Sequence, residues 1–306
     1  MAVGDIITAA RYNNIRARVA SILGVGAGDE GYGQGVTSSS VAVGAIVTAQ
    51  DMTNLDTDMT KIRLHQTGSN PTEIDPPEVG DIIEDSNSTT KEGYAQYESL
   101  SITCQASRLS AASSQMGSTE PSGGTSSRTA DWNFDINHIF RVSFAAYTVT
   151  NGDGSTTTVS AADHMRVFFN AGGTLNVRGT IGSGGGTLNN DWRNLMNAVG
   201  TVKMGRSSTS NGSVGTSYGY ANLPSSYVTI FNKAASAYSA NDYLVEAKKN
   251  ASSIDFRVTF NEDKGANPNF DENVTATTTS IGGFTRANNT NSVNVPAPTY
   301  STSNNL

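Results

Sequence analysis

Residues 2–15, AVGDIITAARYNNI, return forty positions later as residues 42–55, AVGAIVTAQDMTNL. Ala2, Val3, Gly4, Ile6, Thr8, Ala9 and Asn14 recur as Ala42, Val43, Gly44, Ile46, Thr48, Ala49 and Asn54. A repeat of this kind signals one local structure used twice. After each threonine the apolar positions also coincide: Tyr12, Ile15, Val19 and Ile22 against Met52, Leu55, Met59 and Ile62. That spacing puts four side chains on one helical face. Thr8 and Thr48 stand where an N-cap belongs, with a hydroxyl to accept an orphan backbone N–H. Gly24 and Gly68 stand where the helices stop.

The pattern predicts helices over 8–23 and 48–65, each approached through a short apolar segment, Ile6-Ile7 or Ile46-Val47. Two copies are too few for a solenoid, and the stripe is too short for a coiled coil. Each stripe must nevertheless be buried. Either the two helices pack on each other, or the stripes form a seam between copies of the chain. Tyr12, Ile15, Val19, Ile22, Met52, Leu55, Met59 and Ile62 are therefore the candidate oligomer or docking seam.

Three regions follow from the composition. Residues 1–67 read as a helical repeat or attachment module, with the Gly/Ser-rich GDEGYGQGVTSSS linking its helices. Residues 68–129 read as a Pro/Gly/Ser-rich linker, acidic over 68–93 and flexible over 113–128, with a short strand near 94–106. Residues 130–306 read as a β-rich domain. In INHIFRVSFAAYTV, His138, Phe140, Val142, Phe144 and Ala146 alternate with Arg141 and Ser143. VTNGDGSTTTV reads as a hairpin. HMRVFFNAGGTLNVRGTIG reads as two strands about Ala-Gly-Gly, and DYLVEAKK, SIDFRVTFNE, NVTATTTSIG and SVNVPAP as further strands. NNDWRNLMNAVGTV is a helix by the spacing of Trp192, Leu195 and Val199, and YVTIFNKA is ambiguous. NVPAPTYSTSNNL ends the chain as an extended arm, frayed or added to a neighbour's sheet edge. The fold class expected is α+β: a small N-terminal helical repeat module followed by a mostly antiparallel β-sandwich-like domain with one inserted helix.

Charged residues make up only 15% of the chain, and Ser, Thr, Asn and Gly take their place. The net charge of −7 argues against a nucleic-acid surface, which needs clustered Lys and Arg. No apolar run approaches a membrane span, and no secretory signal is visible at the N-terminus. A single cysteine excludes an intrachain disulfide and a Cys-rich zinc site.

No constellation for catalysis emerges. His138 lies on an apolar strand face and reads as a core histidine. His164 opens a strand beside Asp163, and His65 ends a helix, where an imidazolium meets the negative dipole end. Asn151-Gly152-Asp153-Gly154 resembles the start of a calcium loop but lacks the later bidentate Glu. A turn explains it more simply. Glu262-Asp263 and Asp271-Glu272 flank a loop that a solvated reading also explains. TIGSGGGTLNN fits neither phosphate-binding pattern. Paired carboxylates of a polysaccharide hydrolase are not picked out by any signal. Tyr218, Tyr220, Tyr227 and Tyr238 cluster in a Ser/Asn/Gly setting suited to glycan or partner contact. Cys104, in the alternating LSITCQAS, reads as a small packed residue. No catalytic residue, cofactor or metal is expected.

Two stretches carry a family resemblance. ITAARYNNIRARVASILG, with Tyr12-Asn13, and the following Gly31-Tyr32-Gly33-Gln34 resemble the opening of virion structural proteins from tailed phages of cyanobacteria and other marine bacteria. DHMRVFFNAGGTLNVRGTIGSGGGTLNNDWRNLMNAVGTVKMG is similar to a segment of the same proteins, and the two stretches cover about a quarter of the chain. The resemblance implies a non-enzymatic tail, neck or fibre component, made in the host cytoplasm and located on the exterior of the cyanophage-type particle. Its implied partners are itself, as a trimer or hexamer, and other tail or neck proteins, with neither nucleic acid nor membrane. A host-surface glycan-binding role is the alternative, and a cell-surface polysaccharide hydrolase a lesser one.

Overall fold

The computed structural model describes residues 8–78, 80–81, 83–87, 89–210, 214–235, 239–262 and 273–305. In chain order the helices are α1 (Ala9–Leu23), α2 (Ala49–Thr67), α3 (Tyr94–Ala106), α4 (Ala161–Asn170) and α5 (Thr187–Val199). The strands are β1 (Met116–Thr119), β2 (Thr125–Arg128), β3 (Ile136–Ser143), β4 (Tyr147–Thr150), β5 (Thr156–Val159), β6 (Thr174–Ile181), β7 (Thr201–Met204), β8 (Val228–Ala234), β9 (Asp242–Lys249), β10 (Ser253–Asn261), β11 (Thr278–Ala287) and β12 (Thr299–Asn305). The fold is α+β with an antiparallel, sandwich-like arrangement of strands.

The chain divides into two compact units, neither of them continuous in sequence. The first comprises 1–117, 146–172 and 286–296; the second comprises 118–145, 173–285 and 297–306. The linear partition into 1–67, 68–129 and 130–306 is thereby corrected. Composition shifts mark where a chain changes character, whereas a unit is assembled by contacts between distant segments.

In the first unit the repeat folds as two helices, capped at Thr8 and Thr48 and ending at Gly24 and Gly68. All eight stripe residues are buried within the one chain, each at 1% exposure or less. They pack where α1, α2 and α3 meet, so the stripes are internal core rather than a surface available to another copy. The segment near 94–106 is a helix, not a strand. Tyr94, Tyr97, Leu100 and Cys104 are buried at helical spacing, and Ile102, which suggested alternation, is exposed. Cys104 is thus a helix-core thiol, and burial pushes it up to about 12. HMRVFF is likewise helical, in α4. A continuous apolar run does not separate strand from buried helix. Here Ser160 decides, its hydroxyl accepting the Asp163 N–H as N-cap at 3.1 Å. The Asn151-Gly152-Asp153-Gly154 segment turns the β4–β5 hairpin, Asn151 N–H donating to Ser155 O at 2.8 Å.

The second unit holds two five-stranded sheets. One runs β1-β11-β6-β7 with β2 also on β11; the other runs β12-β3-β10-β9-β8. Alternation in β3 buries Ile136, His138, Phe140 and Val142 and exposes Arg141, as its period predicts. Phe144 is also buried beyond the strand, whereas Ala146 is exposed. The stretch 113–128, expected as flexible linker, instead supplies β1 and β2. The ambiguous YVTIFNKA is strand β8. SVNVPAP forms no strand, only the isolated bridge Asn288–Asn294. The C-terminal arm is β12, antiparallel to β3 of its own chain from Thr299–Ser143 to Asn305–Asn137.

Phe260 of β10 centres an aromatic core, with ring centroids 5.2 Å from Tyr243, 5.6 Å from Trp192 of α5 and 5.9 Å from His138. Gly179 of β6 lets the two sheets close on this cluster, since a Cβ there would lie 2.4 Å from Met196 Sδ.

Candidate functional site

Parts of the two segments that carry the family resemblance, α1 with the 31–34 stretch and α4, meet in the first unit, whereas residues 173–205 belong to the second. Asn13 of α1 clasps Val41 in both directions, donating to its carbonyl at 2.8 Å and accepting its N–H at 2.9 Å. Asp58 of α2, fully buried, accepts from the Thr37 and Ser38 N–H groups at 2.8 Å each and from Ser38 Oγ at 2.7 Å. The stretch expected as a linker between the helices is therefore pinned along its length. Within it Tyr32 is buried and accepts from Gln66 Nε2 at 3.1 Å. Gly31 and Gly33 have φ of +92° and +66°, and a Cβ on Gly31 would lie 1.8 Å from Val25 O. Only glycine fits there. Helix α4 completes the joint: Arg166 Nη2 donates to Val25 O at 2.7 Å, and Asn170 Nδ2 to Glu30 O at 2.8 Å.

At the N-terminal ends of α1 and α2 this unit opens a cleft of about 930 Å³. Ala42 to Ala45 form a turn, with Ala45 N–H on Ala42 O at 3.0 Å and Gly44 at φ +85°. The turn leaves Val43 97% and Ile46 85% exposed, the two most exposed large apolar side chains among the described residues. Both line the cleft, together with Ala10 and Ala49 beside the helix caps. Its lining also includes Glu78, Gly80, Asp81 and Ile83. Tyr94 also lines it, fully buried, and its hydroxyl has no hydrogen-bond partner among the described residues. Burial and the nearby Tyr12 and Asp51 raise the Tyr94 pKa, so the hydroxyl keeps its proton and remains a donor.

The acidic lining belongs to a wider charge asymmetry. Residues 69–93 hold seven carboxylates, Glu73, Asp75, Glu78, Asp81, Glu84, Asp85 and Glu92, against one cation, Lys91. Their net −6 nearly accounts for the chain's −7. Arg11 pairs with Asp85 and with Glu98, the latter at 3.0 Å, and Arg63 pairs with Glu73 at 3.6 Å. Glu78 and Asp81 have no cationic partner among the described residues; Asp81 closes its own turn by accepting Glu78 N–H at 2.7 Å. This cleft is not among the sites that the sequence predicts. Its signal was present in two places, the uncharged apolar run VAVGAIV before the second cap and the acidic bias after the second helix. Nothing in the sequence said that the two would line one cleft.

The other residues singled out from the sequence fall into structural roles. His65, in the last turn of α2, is buried with its ring edge-on to Tyr32 at 4.9 Å. Desolvation lowers its pKa to about 4, so at neutral pH it is an imidazole rather than the imidazolium expected at a helix end. His138 is buried in the second unit and likewise lowered to about 4, chiefly by desolvation. His164 lies on α4, not on a strand, with Nε2 3.0 Å from Pro296 O. Asp153 accepts the Ser155 N–H and hydroxyl at 2.9 and 2.6 Å, which accounts for it as a turn residue. Among the described residues no group of three His, Cys, Asp or Glu could hold a metal ion. The 263–272 part of the acidic loop lies outside them.

Two rings of the tyrosine cluster carry cations of their own chain. Lys248 Nζ and Arg257 Cζ both lie on the Tyr227 ring, at 4.7 and 4.9 Å from its centroid, and Lys249 Nζ lies 4.8 Å from that of Tyr220. Tyr218 is half-buried, and Tyr238 lies outside the described residues. The second unit instead carries a polar groove of about 390 Å³ on the outer face of its first sheet, crossed by the Arg178–Glu120 pair at 3.0 Å.

Among the described residues no helix is long and apolar enough to cross a membrane. Comparison with protein-family models, with curated proteins and with solved structures finds no match to this chain.

Proposed function

We propose that this chain is a non-enzymatic structural protein of a tailed-phage particle, a tail, neck or fibre component that docks to the particle and assembles there with copies of itself. The observation that carries the reading is the joint in the first unit. The Gly31-Tyr32-Gly33-Gln34 segment and α4 lie about 130 residues apart, yet Arg166 and Asn170 of α4 hold the loop that leads into that segment. Part of each stretch that resembles virion proteins thus enters one joint, which supports the reading. The same unit presents exposed apolar side chains around a cleft, as a docking module needs. The eight stripe residues, being internal, support this role by holding the module together.

The test is to purify particles of a phage that encodes this chain, count its copies by quantitative mass spectrometry, and place it by antibody labelling in electron micrographs. A fixed copy number and a label at the tail or neck are expected. Absence from washed particles, with the chain free in the lysate, would sink the reading.

A further inference from the structure

We propose that the cleft at the N-terminal ends of α1 and α2 receives an apolar, positively charged peptide segment of a partner protein. The inference rests on the docking role proposed above and names the chemistry of what docks.

Three observations specify the occupant. Val43 and Ile46 stand almost wholly in water beside a cleft of about 930 Å³, so apolar contact is on offer at its rim. In the same lining, Glu78 and Asp81 bring carboxylates that have no cationic partner among the described residues, within a segment of net charge −6. A lysine or arginine beside the apolar residues of the partner would meet them, and the complementary field would steer its approach. Tyr94 offers a buried phenolic donor without an acceptor, which a main-chain carbonyl reaching the cleft lining would supply.

The same observations argue against other occupants. A two-fold dimer across the cleft would set the acidic lining against itself, which like-charge repulsion opposes. Nucleic acid and anionic lipid surfaces carry the wrong sign.

The test uses the full chain and short synthetic peptides followed by fluorescence anisotropy. One peptide is built of leucine and lysine, a second has glutamate for each lysine, and a third has serine for each leucine. The leucine–lysine peptide should bind saturably, one per chain, and more weakly at raised salt; the other two should not bind. The pair Val43→Ser with Ile46→Ser, and separately the pair Glu78→Lys with Asp81→Lys, should each weaken binding by about tenfold or more. All four positions line the cleft without supporting the helix core, so circular dichroism and the melting temperature should stay near those of the parent. No binding, equal binding of the glutamate peptide, or binding that neither pair weakens would overturn the inference. So would a concentration-dependent dimer in light scattering that Ile46→Ser abolishes, because a second copy would then fill the cleft. A chain found in particles that binds no such peptide keeps its structural role and loses this inference. Binding by a chain absent from particles does the reverse.

Discussion

Asp56 sits half-buried on α2, and burial together with the charge of Asp75 raises its pKa to about 6. Its folded-state pKa lies above the ordinary carboxylate value, so the folded state binds the proton more tightly than the unfolded chain does. The resulting stabilisation is complete below the unfolded pKa and is lost as pH rises through about 6. Asp56→Asn should therefore raise the melting temperature at pH 7.5, and the gain should vanish toward pH 4. Thermal scans of both proteins across that range decide it; an equal gain at both ends would mean that the charge is not the cause. Nothing in the sequence around Asp56 announces this behaviour. Asp51, Asp56 and Asp58 lie within one helix, yet Asp51 closes a cap, Asp58 takes three hydrogen bonds from the 37–38 segment, and Asp56 meets another carboxylate. Helical register and distant partners assign those roles, and residue type does not.

At the scale of elements, the repeat is more alike in sequence than in chemistry. The Thr8 hydroxyl accepts the Arg11 N–H at 3.4 Å, and position 11 is an arginine with no carboxylate to return a bond. Thr48 accepts Asp51 N–H at 3.2 Å while the Asp51 carboxylate takes the Thr48 N–H at 2.8 Å, a reciprocal capping box. Thr48→Ala should lower the unfolding free energy by about 1 kcal/mol, and Thr8→Ala should cost clearly less. Urea denaturation midpoints at constant slope would show the difference; equal losses would mean that the carboxylate adds nothing. The caps and stops at Thr8, Thr48, Gly24 and Gly68 were legible because a helix end is a local event. The strand assigned near 94–106 and the one assigned to HMRVFF failed for a related reason. Each short apolar run satisfies period two over a few residues, and only the longer window around it, with a cap such as Ser160, shows the helical period.

The whole molecule contains two buried neutral imidazoles, His65 in the first unit and His138 in the second, each lowered to about 4. Well above pH 6.5 neither is charged in either state and neither affects stability. As pH falls from 6.5 toward 4, the unfolded chain takes up protons that the folded imidazoles refuse, and stability is lost progressively. A depression of this size is worth on the order of 3 kcal/mol per group at full effect; the gain from Asp56 over the same interval opposes it only in part. The melting temperature should fall between pH 6.5 and 4, and His138→Gln should flatten the fall. A profile that is level over that interval, or unchanged by the substitution, would contradict this account.

Sequence by itself determined what depends on neighbours along the chain: two threonine-capped helices ended by glycine, an alternating β-rich region, a hairpin at Asn151–Gly154, and an α+β class. These follow from periodicity and from turn and cap chemistry, which act over a few residues. Tertiary structure alone decided what depends on distant segments. It buried the Tyr12 and Met52 stripes within one chain, returned β12 to β3, and drew each unit from three separate stretches. It also set the apolar turn at Val43–Ile46 in one cleft with Glu78 and Asp81, more than thirty residues away. An amphipathic stripe states only that a face must be covered; which surface covers it is settled by the packing of the whole chain.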